Sequence, residues 1–204
     1  MQRIENIIFD LGGVILDIDY NLTRKAFEKL GVDHFDEMYS QATADELFQK
    51  LETGCISEDD FFRELNTCTG LQLSPFEITT AWNAMLLGFR EESLLFLDAI
   101  RPEYNLFLLS NTNYIHIAAF NKIFNERKRH KPFNDYFKKA FYSCEIGLRK
   151  PDPAPYLWVL EHENIIPAKT IFIDDSAQNL ETAKSLGMQT IHLTTEMRIE
   201  NLEL

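Results

Sequence analysis

The sequence has few cysteines and no long apolar run, and each shortage excludes a class of protein. Of its 204 residues only three are cysteines, Cys55, Cys68 and Cys144. Their number is odd and no C-x-x-C spacing occurs, so the sequence supports neither a disulfide framework nor a zinc site. No apolar run approaches the roughly 18 residues that a membrane-spanning helix needs. We therefore expect reduced thiols and no membrane partner.

Positive charge is also scarce, with 20 Lys and Arg against 32 Asp and Glu and a formal net charge of −12. Such an acidic surface disfavours nucleic acid and anionic membranes as partners, although a local basic pocket can still bind an anion. Residues 1–5 lead into a strand pattern without a charged-then-apolar leader. We expect a cytoplasmic protein, a monomer or weak homodimer, whose partner is a small molecule.

The most informative feature of the chain is a set of three short apolar runs that end on polar residues. Runs of this length are typical of buried strands in a parallel sheet. In such sheets, ligands bind outside the carboxyl ends of the strands, so we expect these polar residues to meet at one edge. The runs and their ends are 7–9 with Asp10, 106–109 with Ser110 and Asn111, and 171–173 with Asp174 and Asp175.

From residue 91 onward, helical and strand patterns alternate, which predicts a parallel sheet with helices on both faces. The fold class is therefore α/β, with a Rossmann-like core of three layers. The predicted helices are 91–100, 113–125, 153–161 and 176–186. The predicted strands are 104–109, 139–143, 170–173 and 189–193.

Residues 20–88 differ, because they hold several short helix patterns and no strand candidate. Three helix starts, 43–46, 57–60 and 74–77, each place a hydroxyl three residues before a carboxylate, and the third adds Pro75. An all-helical segment inside a strand–helix alternation is typical of an inserted cap. We divide the chain into a core of residues 1–17 and 89–204 and a helical cap of residues 18–88.

Four motifs together resemble those of the haloacid dehalogenase-like hydrolases, in the family's order, with the insert where its C1 cap lies. The sequence around these motifs is most similar to that of a subgroup that includes glucose-1-phosphate phosphatases. The resemblance implies a Mg²⁺-dependent phosphatase that forms an aspartyl-phosphate and has a cap that closes over the site. The motifs are FDLGGVILD with Asp10, LLSNTN with Ser110, GLRKPDPAPY with Lys150, and FIDDSAQN with Asp174 and Asp175.

The motif residues have chemistry that suits these roles. Asp10 is the predicted nucleophile, since a carboxylate can attack a phosphoryl group and split one hard step into two. Ser110 and the amide of Asn111 are expected to bind phosphate oxygens, and Lys150 to neutralise phosphate and nucleophile. Standing alone, Ser110 would be an ordinary helix cap and Lys150 a solvated loop residue.

Hard oxygen ligands suit Mg²⁺, and the motifs supply several. The expected ligands are Asp10, Asp175 and, directly or through water, Asp174. The family resemblance adds the backbone carbonyl of Gly12. The alternative for the paired acids is an N-cap of the following helix, which needs only one of them.

Gly12 departs from the family pattern, whose phosphatases usually carry an Asp at this position as general acid and base. Losing such a group typically costs roughly 10²–10⁴ in rate. Without this Asp, we expect a phosphatase of modest rate, one that favours substrates with good leaving groups, or one that uses another carboxylate as the general acid. Asp17 and Asp19 are the candidates for that carboxylate and equally candidates for turn residues. The same absence disfavours a mutase.

The substrate is expected to be a small phosphorylated metabolite, with phosphosugars first by resemblance. A metal-independent dehalogenase and a non-catalytic binding protein of the same fold are the alternatives.

His116 follows the second motif by one helical turn, where a structural role is favoured over a catalytic one. The basic run 127–131 is interpreted as a solvated loop in preference to an anion-attracting patch.

Overall fold

The computed structural model of the protein describes residues 3–40, 44–126, 131–194 and 196–204. Five strands form a parallel sheet in the order β5-β4-β1-β6-β7, and two more form an antiparallel ribbon. The strands are β1 (Asn6–Phe9), β2 (Leu16–Ile18), β3 (Leu86–Phe89), β4 (Asn105–Ser110), β5 (Lys139–Tyr142), β6 (Thr170–Asp174) and β7 (Gln189–His192).

Helices surround the sheet and fill most of the segment between β2 and β3. The helices of that segment are α1 (Tyr20–Lys29), α2 (Phe35–Met38), α3 (Glu46–Glu52), α4 (Glu58–Thr69) and α5 (Pro75–Asn83). Those that follow are α6 (Glu91–Ile100), α7 (Tyr114–Glu126), α8 (Ser143–Ile146), α9 (Pro153–His162) and α10 (Ala177–Ser185).

The parallel sheet forms because its central strands are apolar on both faces. Successive side chains of a strand point to opposite faces, so Ile7 and Phe9 join one buried cluster while Ile8 joins another. Phe9 is paired with Leu108 of β4 and Ile173 of β6, which places β1 at the centre. The predicted Rossmann-like α/β class is confirmed.

Helices α1–α5, hereafter the cap helices, have a hydrophobic core of their own around Trp82. The indole is fully buried, and the ring centroids of Phe35, Tyr39, Phe48 and Phe61 lie 4.6–6.5 Å from it. This aromatic packing explains the helical spacing of apolar residues in the segment. The division into core and cap at the predicted boundaries stays a prediction.

The expectation of no strand between residues 20 and 88 is wrong, because β3 begins at Leu86 and pairs antiparallel with β2. The pairing brings Leu16 next to Phe89, far away in the sequence. A four-residue strand that contains Gly88 carries too little periodicity to be found locally. The predicted boundary between residues 88 and 89 lies inside this strand.

Two of the three predicted helix starts are confirmed by their hydrogen bonds. Ser57 caps α4, and Ser74 forms a full capping box with Glu77 at the start of α5. The start predicted at 43–46, with Thr43 as the cap, is wrong in its capping residue. The carboxylate of Asp45 accepts from the backbone N–H of Phe48 and caps α3. Thr43 lies outside the described residues.

The core elements predicted from residue 91 onward all occur, with ends that differ by at most one residue. The short helix α8 was not predicted, because four residues are too few for a helical pattern to show. Within the described ranges, no helix combines the length and the apolar character needed to cross a membrane.

Candidate active site

Three carboxylates meet at the carboxyl edge of the parallel sheet, as the strand ends predict. Asp10 follows β1 and donates its backbone N–H to the carbonyl of Ile173 at 2.9 Å, which fixes it against β6. Asp174 ends β6, and Asp175 comes directly after it. Oxygen atoms of Asp10, Asp174 and Asp175 lie within 4.8 Å of one another. We call these three residues the carboxylate cluster.

Lys150 is buried against this cluster and is not a solvated loop residue. Its Nζ donates to Oδ1 of Asp10 at 2.8 Å and to Oδ2 of Asp174 at 2.7 Å, and its side chain is fully buried. Burial acts to lower the pKa of Lys150, but the neighbouring carboxylates of Asp10 and Asp174 outweigh it and raise the pKa above its ordinary value. The lysine therefore carries a permanent positive charge at the strand edge.

Asn111 positions this lysine through a two-point contact with its backbone. The side-chain Nδ2 of Asn111 donates to the carbonyl of Lys150, and its Oδ1 accepts from the N–H of Lys150, both at 2.8 Å. Ser143 fixes the adjoining turn by accepting from the N–H of Thr112 at 2.8 Å and donating to its carbonyl at 2.9 Å. The sequence did not point to this bracing role of Asn111 or Ser143.

Asp174 is fully buried and its two oxygens are occupied by protein donors. Oδ1 accepts from the N–H of Ser176 at 2.7 Å, and Nδ2 of Asn179 lies 3.0–3.1 Å from both oxygens. The contact with Ser176 resembles a helix cap, but the bonds from Asn179 and Lys150 go beyond what a cap requires. Asn179 is a further residue that sequence reasoning missed, and its place in the first turn of α10, directly after the paired acids, was the available signal.

Gly13 allows Asp175 to reach the cluster. This glycine has φ of 73°, and a Cβ built on it would overlap the carboxylate of Asp175. Any other residue would be strained there and would displace the acid. The second glycine of the GG pair therefore has a steric role that the sequence alone did not reveal.

Burial raises the pKa of Asp10 to about 7, with Lys150 acting to lower it and Asp174 and Asp175 acting to raise it. The three clustered negative charges thus need more positive charge than one lysine provides. Their hard oxygen atoms are the ligands that Mg²⁺ prefers. The donor set therefore fits a divalent cation of this kind.

Gly12, Ser110 and Asn111 line the same cavity as Asp10 and Lys150. Gly12 does not lie in the left-handed region of backbone conformation. A Cβ on it would lie 2.9 Å from the terminal Cδ1 of Ile18, the flexible end of a side chain. The backbone at Gly12 therefore permits other residues, provided that Ile18 shifts.

Asp17 and Asp19 have structural partners and, among the described residues, neither lines the cavity of Asp10. Asp17 forms an ion pair with Arg90. Asp19 caps α1 by accepting from the N–H of Asn21 at 2.9 Å. Asp17 is therefore a residue of β2 and Asp19 a helix cap, so the alternative of turn residues is wrong for Asp17.

His116 is buried in the contact between α7 and the cap helices. Its ring stacks on Trp82 with centroids 4.5 Å apart, its Nε2 lies 3.2 Å from the carbonyl of Trp82, and its Nδ1 lies 3.3 Å from Asn113 Nδ2. Burial lowers the pKa of His116 to about 4. Although it borders the cavity, its ring is held by these contacts, as a structural histidine is.

The basic run 127–131 lies mostly outside the described residues. Only Lys131 is described, and it pairs with Asp98 on the surface.

The cavity beside Asp10 is also lined by residues that lie outside the four sequence motifs or were given no role in them. Tyr20, Tyr39 and Glu52 come from the cap helices or the residue after α2, and Arg149 comes from the loop before Lys150. We call Tyr20, Tyr39 and Glu52 the roof of the cavity and the residues around Asp10 its floor.

Comparison with known proteins agrees with this geometry. A model of the haloacid dehalogenase-like hydrolases matches residues 4–187. The chain is 36% identical over 192 residues to the D-ribitol-5-phosphate phosphatase of Bacteroides thetaiotaomicron, a match that covers 92% of this chain and 90% of that protein.

Two solved structures are similar along nearly the whole chain. A family enzyme of Bacteroides thetaiotaomicron, an aspartate-to-alanine mutant in complex with magnesium and inorganic phosphate, is 32% identical with a TM-score of 0.90, covering 96% of both chains. A hydrolase of the same kind from Porphyromonas gingivalis is 33% identical with a TM-score of 0.84, covering 94% of this chain and 91% of that one.

Proposed function

The chain belongs to the haloacid dehalogenase-like hydrolases, and from this premise we propose that it is a Mg²⁺-dependent phosphatase in which Asp10 is the nucleophile. The observation that carries the proposal is the carboxylate cluster, with its oxygens within 4.8 Å, joined to the buried ammonium of Lys150. Phosphoryl transfer needs a nucleophile, a metal cation and a fixed positive charge in one place. This strand edge offers the residues for all three.

Asp10 attacks phosphorus with one carboxylate oxygen, and the bond from phosphorus to the leaving oxygen breaks. The leaving alkoxide takes a proton from water, since Gly12 supplies no acid. Water then attacks the aspartyl-phosphate, releasing inorganic phosphate and restoring the carboxylate. Lys150 offsets charge on the transferring phosphoryl throughout, and Ser110 and the amide of Asn111 bind its oxygens.

For the cation, Asp10 and Asp175 are the proposed direct ligands, together with the carbonyl of Gly12. Asp174 is proposed to act through water, because Ser176, Asn179 and Lys150 already occupy its oxygens. When bound, Mg²⁺ supplies charge stabilisation that lets two anions approach each other. A metal-independent dehalogenase has no need of such a cluster.

The substrate is proposed to be a phosphate monoester of a sugar or sugar alcohol. The support is the similarity to the D-ribitol-5-phosphate phosphatase of Bacteroides thetaiotaomicron over nine-tenths of both chains. We also propose a cytoplasmic protein, a monomer or weak homodimer, whose cysteines Cys55, Cys68 and Cys144 stay reduced. The predicted cap of residues 18–88 is proposed to open and close over the site.

Turnover of phosphate esters by the purified protein tests the proposal. With Mg²⁺, p-nitrophenyl phosphate and ribitol 5-phosphate should both release inorganic phosphate, and excess chelator should stop the release. Absence of turnover of every ester in a panel of phosphorylated metabolites would refute the enzyme. Full turnover without metal would refute the metal site.

A further inference from the structure

The roof contains a charged cluster that the proposed chemistry at Asp10 does not use. Glu52, the last residue of α3, is only 2% exposed. Its Oε1 accepts from the hydroxyl of Tyr39 at 2.9 Å, and its Oε2 accepts from Nε of Arg149 at 2.7 Å. Burying a carboxylate is costly unless it is paired in this way.

The contact between Glu52 and Arg149 is held in place by close packing of the backbone beside it. Gly54 has φ of 67°, and a Cβ on it would overlap the carbonyl oxygen of Cys144. The turn after α3 therefore lies directly on α8, a few residues before Arg149. This close approach sets the position of Glu52 relative to the loop that carries both Arg149 and Lys150.

Arg149 lines the cavity and retains unused hydrogen-bonding capacity. A guanidinium carries five N–H donors in a planar fork, and Glu52 engages only Nε. Among the described residues, the two Nη atoms have no hydrogen-bond partner. The side chain is 25% exposed and borders both this cavity and a surface pocket beside Gln49 and Thr53. Arg149 directly precedes Lys150, whose ammonium contacts Asp10, so both cations come from one loop.

The charge of Arg149 is already compensated by Glu52. A second anionic group on a substrate would therefore gain little there and would approach a buried carboxylate. Neutral hydroxyl groups, in contrast, can accept from the free Nη atoms without adding charge. Burial and the neighbouring Glu52 raise the pKa of Tyr39, so its hydroxyl stays protonated and continues to orient the carboxylate.

We propose that Arg149 binds the hydroxyl groups of a neutral, polyhydroxylated leaving group, and that Glu52 and Tyr39 position its guanidinium. The inference rests on the proposed phosphatase and narrows its substrates to phosphate esters of uncharged sugar alcohols or sugars. Arg149 is a binding residue, and Glu52 is a positioning residue that also sets the charge preference of the site.

The test compares three esters with Mg²⁺: p-nitrophenyl phosphate, pentyl phosphate and ribitol 5-phosphate. The native protein should prefer ribitol 5-phosphate to pentyl phosphate in kcat/KM, because only the former offers hydroxyls. Arg149→Met should reduce that preference roughly 10- to 100-fold, mainly through KM, as expected for lost charge-assisted hydrogen bonds. Arg24→Met, which breaks a surface ion pair with Glu28, is the matched control and should leave the preference unchanged.

An equal loss on all three esters would overturn the inference, since Arg149 would then serve only to hold Lys150. An unchanged preference would overturn it as well. Failure of the native protein to cleave even p-nitrophenyl phosphate would instead refute the phosphatase itself, so the two failures are distinguishable.

A second variant tests the charge argument in a protein that keeps the shape of the site. Glu52→Gln removes the compensating charge but retains an oxygen that can accept from Arg149. It should shift the preference toward 2-phosphoglycolate, whose leaving group carries a carboxylate, and away from ribitol 5-phosphate. A folded Glu52→Gln protein with the native preference would contradict the role given to Glu52.

Discussion

The floor and the roof of the cavity use charge in opposite ways. On the floor, Asp10 and Asp174 share one buried lysine, and the pKa of Asp10 is raised to about 7 by burial, with the neighbouring carboxylates adding to the effect. On the roof, Glu52 is matched by one arginine and one tyrosine hydroxyl. The floor therefore requires a cation to balance its excess negative charge, whereas the roof is balanced within the protein.

The two regions also differ in how the chain holds them. Floor residues follow strands whose register is set by the sheet, so their spacing is fixed by backbone hydrogen bonds. Roof residues come from the end of α3, the residue after α2 and the start of α1, brought together by aromatic packing around Trp82. We infer that the floor supplies the reaction and that the roof supplies selectivity.

The largest expected effect comes from the nucleophile on the floor. Asp10→Asn keeps the shape of the side chain but removes the attacking carboxylate, so turnover of p-nitrophenyl phosphate should fall by roughly 10⁴-fold or more. Asp17→Asn makes the same chemical change outside the cavity and should retain most of the activity. Substantial turnover by a folded Asp10→Asn protein, judged by circular dichroism, would remove Asp10 from the mechanism.

Removing the cation should be the next largest effect. Chelation should lower turnover by roughly 10³-fold, corresponding to several kcal/mol of lost charge stabilisation. Added Mg²⁺ should restore it, and chelator already saturated with Mg²⁺ is the control. Activity that survives exhaustive chelation would contradict the excess of negative charge inferred for the floor.

Adding the missing acid at Gly12 should raise the rate with poor leaving groups. Gly12→Asp combined with Ile18→Val, which relieves the 2.9 Å approach to Cδ1, should increase alkyl phosphate turnover by roughly 10²-fold relative to aryl phosphate. Gly12→Ala with Ile18→Val adds the Cβ without the carboxyl group and serves as the control. A folded, Mg²⁺-binding double variant that gains nothing would show that protonation of the leaving group does not limit the native enzyme.

The smallest expected effect concerns the contact that joins the floor to the cap helices. The pKa of His116 is lowered from 6.5 to about 4 by burial, so the unfolded chain binds the proton more readily than the folded protein. Stability attributable to neutral His116 is present above pH 6.5 and is lost as pH falls toward 4. Between pH 7 and pH 5 the free energy of unfolding should decrease by about 2 kcal/mol from this residue.

Denaturant unfolding of His116→Gln and of His162→Gln across that pH range checks the assignment. His162 is exposed, so its replacement should preserve the native pH dependence, whereas replacement of His116 should flatten it. Identical slopes in all three proteins would mean that His116 does not titrate in this range on unfolding.

The sequence predicted most of the sheet because its strands are recognisable from local patterns. Residues 7–9, 106–109 and 171–173 are unbroken apolar runs, and each lies in a strand that is buried on both faces. β3 was missed because its partner β2 is distant in the sequence and its own four residues include Gly88. The capping residue of α3 was misassigned because the sequence offers both a hydroxyl and a carboxylate near the start of the helix. In the structure the carboxylate of Asp45 accepts the capping hydrogen bond from the N–H of Phe48.

The sequence by itself determined the fold class and brought the acids of the floor to one edge, because apolar periodicity fixes strands and parallel strands align their carboxyl ends. Only the tertiary structure decided that Lys150 bridges Asp10 and Asp174, that Asn111 and Asn179 brace them, and that Glu52 pairs with Arg149. The contacts of Lys150, Asn111 and Glu52 join residues that are 24 to 140 positions apart. The contact of Asn179 with Asp174 is the local exception. Side-chain pairing over such separations depends on how helices and loops pack, and no local pattern encodes it.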